Sequence, residues 1–431
     1  MRALSRRLPN AHHQARPSDA ADARALLEEC RTRALALLRA NLGPLGIRAA
    51  ATGSQAHTRA YDAVFARDAG VCALAMLRSG HPQLIRGVRT SLATLALHQA
   101  DNGQIPKFVR GRNEADFWYV GCIDATLWWL IALAELEAIA PAHSLRTRLK
   151  THVGRALTWL QCQEHPRLQL LSQNEASDWA DIMPRSGYVL YTNALWYHVK
   201  RVYRLPGAAQ TVHHFNHLFF PFARDVSEYR RVRLLADYAR AGAKTRQLYL
   251  SYVNFSFFGD EGDVFGNVLA VLLGLAHEQR ARAIVAALRR AGVDSPWPAR
   301  ATCISIQENS PQWRAYMGRH RQNLAYQYHN GGCWPLIGGF WAMAQARYGS
   351  RRAAYQTLIR LAQANAHNGW QFNEWFHGRT GVACGMPLQS WSAAAYLLAY
   401  DAVGVGNDRS KANSQRRDAE KSKRGRRERQ M

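Results

Sequence analysis

Nothing in this 431-residue sequence approaches the length of an apolar membrane span. The basic opening MRALSRRLPNAHHQARP has no apolar stretch of the kind a secretory signal needs. The seven cysteines (Cys30, Cys72, Cys122, Cys162, Cys303, Cys333 and Cys384) are odd in number and scattered, without a CxxC pair. That spacing argues against a disulfide framework or a zinc cage and fits reduced thiols in a cytoplasm. No GxGxxG and no GxxxxGK[ST] stretch is present, so no nucleotide cofactor is indicated, and serine nucleophile elbows are absent too. Zinc-finger spacing, an RNP-like strand and a helix-turn-helix are likewise missing, which leaves sequence-specific nucleic-acid recognition without a vehicle.

Acid is also scarce. The chain has 56 Lys or Arg against 31 Asp or Glu, a formal charge of +25. From Asn407 to Met431 there are ten basic and four acidic residues, with no large apolar residue before the terminal Met. Such a segment cannot build a core and is expected to be a disordered tail over 406–431, touching nucleic acid or anionic surfaces by charge alone. A flexible N-terminus is expected over 1–18, which leaves 19–405 as one domain.

What the sequence does have is apolar material, 48% of residues, and a helical period. Ala23, Leu26, Leu27, Cys30, Ala34, Leu37 and Leu38 fall at steps of three and four after a cap at Ser18. Further helices are expected over about 66–79, 83–100, 123–140, 144–162, 190–203, 228–247, 264–278, 280–292, 335–348, 351–366 and 388–402. Clear strand alternation is scarce. The fold expected is all-α. About twelve helices suit a closed ring of six helical hairpins, an (α/α)6 toroid, although an open helical array would give a similar count.

Acids, aromatics and glycines concentrate in the long connections. YDAVFARDAG carries Arg67 and Asp68, and DFWYVGCIDATLWW carries Asp124; either acid could simply cap the helix that follows. QNEASDWADIMPRSG sets Glu175, Asp178 and Asp181 around Trp179, more acid than one cap needs. YHNGGCWP combines His329 and Asn330 with Trp334. NGWQFNEWFHGRTG places Glu374 among Trp370, Phe372, Trp375 and Phe376. Rings stack on the apolar faces of sugars, and glycoside hydrolysis needs two carboxyl groups across the scissile bond. Burial among rings raises a carboxyl pKa. His213 and His217 in HHFNH have metal spacing but lack a HExxH glutamate and a third ligand, so no metal site is expected. GDEGDVFGN lacks the full calcium-loop series and reads as a turn before a capped helix.

FARD, IDATLWWLIAL, YHNGGCWP, EWFHGRTG and LQSWSAAAYLLAYD resemble, in the same order, motifs of the six-hairpin glycosidase superfamily. The likeness runs from about Tyr61 to Asp401 and is strongest to neutral/alkaline invertases and to the glucosidase domain of glycogen-debranching enzymes. The resemblance implies an inverting, cofactor-free glycoside hydrolase. Asp181 would be the general acid, with Asp178 the alternative if the local alignment slips, and Glu374 the general base. Arg67, Asp68 and Asp124 would hold sugar hydroxyls, and Asp178, Trp179, His329, Asn330, Trp334, Trp375, Gln389 and Trp391 would line the pocket. Two departures bear on the substrate: Phe65-Ala66 replaces the Trp-Gly of debranching enzymes, and the invertase-type motif around the acid is absent.

The expected activity is cytoplasmic hydrolysis of a small α-glucosidic sugar, debranching-like, with sucrose cleavage as the alternative. A sugar-binding scaffold without chemistry is the alternative of another class. The carboxyl groups are expected about 6.5–9.5 Å apart, the inverting separation.

Overall fold

The structure, a computed structural model, describes residues 17–111, 114–118, 121–222 and 230–405. The basic tail at 406–431 and all but the last two residues of the expected N-terminal arm lie outside the described residues. Twelve helices make the body. They are α1 (Pro17–Ala40), α2 (Ala66–Arg78), α3 (Pro82–Leu97), α4 (Ile123–Ile139), α5 (Lys150–Gln161) and α6 (Leu190–Val202). The others are α7 (Ala208–Leu218), α8 (Val264–Leu272), α9 (Glu278–Arg290), α10 (Pro335–Tyr348), α11 (Arg351–Trp370) and α12 (Ser390–Val403).

Sequence decides which helices go inside. The segment IDATLWWLIALAELEAI of α4 is apolar nearly all round, and every residue from Ile123 to Leu133 is buried. A helix without a polar face has to be enclosed. In contrast, α9 buries only Ala281, Ile284, Val285 and Leu288, one stripe facing inward. The six even-numbered helices form the inner wall, each packed on the next, and α12 packs back on α2. That last contact closes the ring, so the architecture is the toroid and not an open array. The odd-numbered helices pack outside it, with α1 lying against α11 and α12.

Two elements differ from expectation. The segment 208–218, AAQTVHHFNHL, is the outer helix α7, whose buried residues are only Thr211, Phe215 and Leu218. So thin an apolar stripe hid the helical period. The expected helix at 228–247 exists as Arg230–Gly242, but as an addition outside the twelve. Among the described residues, no helix is long and apolar enough to cross a membrane.

Inner helices hand over to outer ones through brief connections at 79–81, 140–149, 203–207, 273–277 and 349–350. The return connections at 41–65, 98–122, 162–189, 219–263, 291–334 and 371–389 are long and gather where the inner helices begin. Backbone pairing ties them into a girdle. Val64–Phe65, Phe108–Arg110 and Glu114–Asp116 form an antiparallel sheet, with Val64 opposite Val109 and Phe108 opposite Asp116. Ser172–Gln173, Gly187–Val189 and Tyr252–Val253 form another. Single bridges pair Asp263 with Thr302, Cys333 with Phe376 and Ala50 with Gln389. Ile123 N–H donates to the Ser177 carbonyl at 2.9 Å, completing the circuit. Strands of two or three residues are too short to show alternation, so the sequence did not announce them.

The α10–α12 contact depends on Gly339, where an added Cβ would collide with the Ala395 carbonyl oxygen. Replacing Gly339 by Val should destabilise the fold by about 1–3 kcal/mol, as overpacking does. Chemical denaturation checks this, and an unchanged midpoint would contradict the close approach.

Candidate active site

Each inner helix starts in the girdle, so six sets of unsatisfied helix N–H groups and the positive ends of six dipoles point toward the same end of the ring. Carboxylates are favoured there, and the candidate acids are found there. Asp68 and Asp124 lie in the first turns of α2 and α4, Asp181 precedes α6, and Glu374 precedes α12.

Glu374 is 3% exposed, and both of its oxygens are held. The Tyr61 hydroxyl donates to Oε1 at 2.7 Å, and the Met386 backbone N–H donates to Oε2 at 2.9 Å. The chain around it is bent to achieve this: α11 loses helical geometry at His367, Asn368 and Gly369, and Asn368, Trp370, Phe372 and Leu388 all take positive φ, which costs non-glycine residues energy. At Gly385, with φ +73°, a Cβ would strike Glu374 Oε2. Burial pushes the Glu374 carboxyl up to about 7, against the Met386 and Tyr61 hydrogen bonds, and the charges of Asp68 and Asp181 push the same way. Asp68, also buried, is pushed up to about 7 by desolvation, against the pull of Arg67.

Asp181 is the half-open member, its side chain 21% exposed. Lys107 Nζ lies 3.3 Å from Oδ2 and stands 3.9 Å above the centre of the Trp118 ring. His329 Nδ1 lies 4.0 Å from Asp181 Oδ1. Burial, then the cationic Arg185, Arg67 and Lys107, hold His329 well below its usual pKa, so it is a neutral imidazole. The Tyr61 and Tyr328 hydroxyls are near enough to both acids to feel the charges of Asp181 and Glu374.

A wall of rings joins the two loops. His329 stacks on Trp334 at 5.1 Å between centroids, and Trp179 meets both edge-on at 4.8 and 5.5 Å. Trp391 abuts Trp334 at 5.9 Å, and Trp375 meets Tyr328 at 5.8 Å. Trp179, Trp334 and Trp391 are buried, so they build the wall and do not project from it as open stacking platforms.

The expected binding residues divide into two groups. Some are already satisfied by protein. Arg67 grips both oxygens of Asp124 at 2.9 and 3.2 Å, and the Tyr191 hydroxyl donates to Asp124 Oδ2 at 2.9 Å. Asp178 accepts from Gln173 Nε2 at 3.0 Å and from the Ala180 N–H at 2.8 Å. The side chain of Asn330 pairs with the backbone of Ile306 and Asn323. These residues position the cleft. Others keep buried polar atoms with no protein partner: Trp179 Nε1, both ends of the Gln389 amide and Trp391 Nε1. Buried polar atoms need partners, and the hydroxyls of a sugar supply donors and acceptors together.

Tyr61, Lys107 and Tyr328 were not singled out from sequence: Tyr61 and Lys107 lie in irregular loops with no period to mark them, and in YHNGGCWP the polar His329 and Asn330 and the Trp334 ring stood out ahead of Tyr328. Nor was Arg185, which is fully buried and pairs with Glu261 at 3.1 Å and Asp263 at 3.3 Å. The acids of the GDEGDVFGN stretch therefore hold an arginine, and Asp263 caps α8 through the Gly266 N–H at 3.2 Å. Among the described residues no group of His, Cys, Asp or Glu could hold a metal, and His213 and His217 stack at 4.2 Å on the outer helix α7.

The raised Glu374 carboxyl has a stability signature. Its folded pKa lies above the ordinary value of 4.5, so the native state is favoured while the group stays protonated and loses that advantage as pH rises through about 7. Glu374→Gln, with no charge to bury, should therefore gain on the native protein between pH 5 and pH 8, on the order of 2–3 kcal/mol. Denaturation at the two pH values checks this; an equal difference at both would mean that Glu374 is not desolvated.

The model of the family described as "Alkaline and neutral invertase" matches residues 235–404. Probable alkaline/neutral invertase F of Arabidopsis thaliana is 24% identical, over 83% of this chain and 83% of its own. Cytosolic invertase 1 of Oryza sativa subsp. japonica is 23% identical, over 83% of this chain and 74% of its own. Other relatives carry mitochondrial or chloroplastic names, so these relatives do not share one compartment. A GH63 mannosylglycerate hydrolase from Thermus thermophilus, solved with Tris and D-glycerate, superposes with a TM-score of 0.58 at 15% identity, covering 86% of this chain and 99% of that one. In sequence the chain is similar to alkaline and neutral invertases over most of its length, and in fold it is the six-hairpin toroid that glycoside hydrolases also adopt.

Proposed function

We propose that the protein hydrolyses a small α-glucoside, with sucrose as the first candidate, and inverts the anomeric configuration. The observation that supports this best is a half-open carboxyl, Asp181, and a buried one held at both oxygens, Glu374, whose charges both reach the Tyr61 and Tyr328 hydroxyls. Sucrose is preferred because the sequence relatives carry invertase names, and it is itself an α-glucoside.

In this mechanism Asp181 gives its proton to the glycosidic oxygen as the bond from that oxygen to the anomeric carbon breaks. A water on the opposite face attacks the anomeric carbon and passes its proton to Glu374. Glu374 must be ionised to accept it. Since burial holds that carboxyl near 7, the fraction of Glu374 able to accept the proton rises as pH passes from 6 to 8. Neutral His329 and the unpartnered amide of Gln389 would bond sugar hydroxyls, and Asp68 would do so beside them. Action at neutral to alkaline pH fits the family's description.

Proton NMR of the protein with sucrose, maltose and isomaltose tests the reading. The expected result is sucrose cleavage with β-glucose appearing first, abolished by several orders of magnitude in Glu374→Gln and in Asp181→Asn. α-Glucose first would overturn inversion. Cleavage of isomaltose or maltose without sucrose would favour the debranching-like specificity. Near-normal turnover of Glu374→Gln would remove Glu374 from the mechanism.

A further inference from the structure

The end of the ring opposite the acids is not closed. A cavity of about 380 Å³ opens there, within the usual size range of small-ligand pockets. All six inner helices contribute to its wall: Leu74 from α2, Ile131 from α4, Leu195 from α6, Leu269 from α8, Phe340 from α10 and Leu398 from α12. Trp128 also lines it, making a ring pair with Phe340 at 6.5 Å. This is an axial apolar shaft with a charged mouth.

The mouth carries Arg78, Glu135 and Arg347. The C-terminal ends of the inner helices face this way and favour cations, and two carbonyls are answered directly. Arg78 Nη1 donates to Leu74 O at 3.0 Å and Arg347 Nη1 to Leu272 O at 3.2 Å. Arg78 also pairs with Glu135 at 2.5 Å, which cancels its charge. Arg347 has no acidic partner among the described residues, so its charge at the mouth is not paired. His198, also at the mouth, is held below its usual pKa by burial and by Arg201 and adds no charge there.

We infer that this shaft is a second ligand site, separate from the glycosidase cleft, that takes an amphiphile with one apolar chain and one anionic head, a medium-chain carboxylate. The chain fills the leucine-lined shaft and the carboxylate sits against Arg347. A purely apolar occupant would make no use of this guanidinium, which is exposed at the mouth and bonded to the Leu272 carbonyl. The basic segments 1–16 and 406–431 of this chain would be repelled by it, so they are poor candidates to fill the mouth.

Isothermal titration of the full-length protein with sodium decanoate below its micellar concentration, with decanol as the uncharged control, tests the site. One saturable decanoate site is expected, with decanol binding weaker. Arg347→Glu, a surface change, should weaken decanoate about tenfold or more, as loss of a hydrogen bond to a charged group does, and leave decanol unchanged. Met343→Trp should fill the shaft and remove both; circular dichroism confirms that each variant is folded. Equal affinity for decanoate and decanol, or an unaltered Arg347→Glu, would overturn the anionic head. No saturable binding to the native protein, or native affinity in a folded Met343→Trp, would overturn the site. Sucrose hydrolysis is read separately, so the two proposals fail independently.

Discussion

Six helices too apolar to face water, all starting at the same end of a ring, set the terms for everything else in this molecule. Burying them side by side forces their N-terminal ends together. There the unpaired N–H groups and the dipoles make a place where negative charge is tolerated in spite of poor solvation. The long return loops deliver acids to that place, and the short turns at the other end leave nothing comparable. The cleft follows from the ring's geometry before any particular side chain is considered.

Within the cleft, two ways of keeping a carboxyl coexist. Asp124 is fully buried but answered by Arg67 and Tyr191, so it acts as a strut. Glu374 is buried with only a hydroxyl and one backbone N–H for company, which leaves it poised between its two protonation states near neutrality. Partners, not depth, separate these two carboxyls. Asp178, sealed by Gln173 and the Ala180 N–H, differs from Asp181 in depth as well, for Asp181 is half-open beside Lys107.

The helical body was largely legible in the sequence because period and apolarity are local properties. The boundaries of α10 are those expected, and those of α2, α4 and α6 differ by a residue. The expected count of twelve was reached through compensating errors: α7 was passed over and the added helix Arg230–Gly242 stood in for it. The motif-bearing acids Asp68, Asp181 and Glu374 were visible through resemblance, but which neighbours hold them was not. Tyr61 meets Glu374 across 313 positions and Arg185 meets Glu261 across 76, and no local pattern encodes such pairs.

The seam of the ring lies between the first helix and the last. The Tyr396 hydroxyl donates to the Leu27 carbonyl at 2.6 Å, and the Tyr400 hydroxyl donates to Glu28 at 2.7 Å, contacts about 370 positions apart. During synthesis, ten or more helices leave the ribosome before the strand of chain that closes the circle exists. Until then the apolar inner wall stands open along one side, with α10 and α2 lacking their common neighbour. Until α12 is made, that half-built wall exposes apolar surface, the condition under which partly folded chains aggregate.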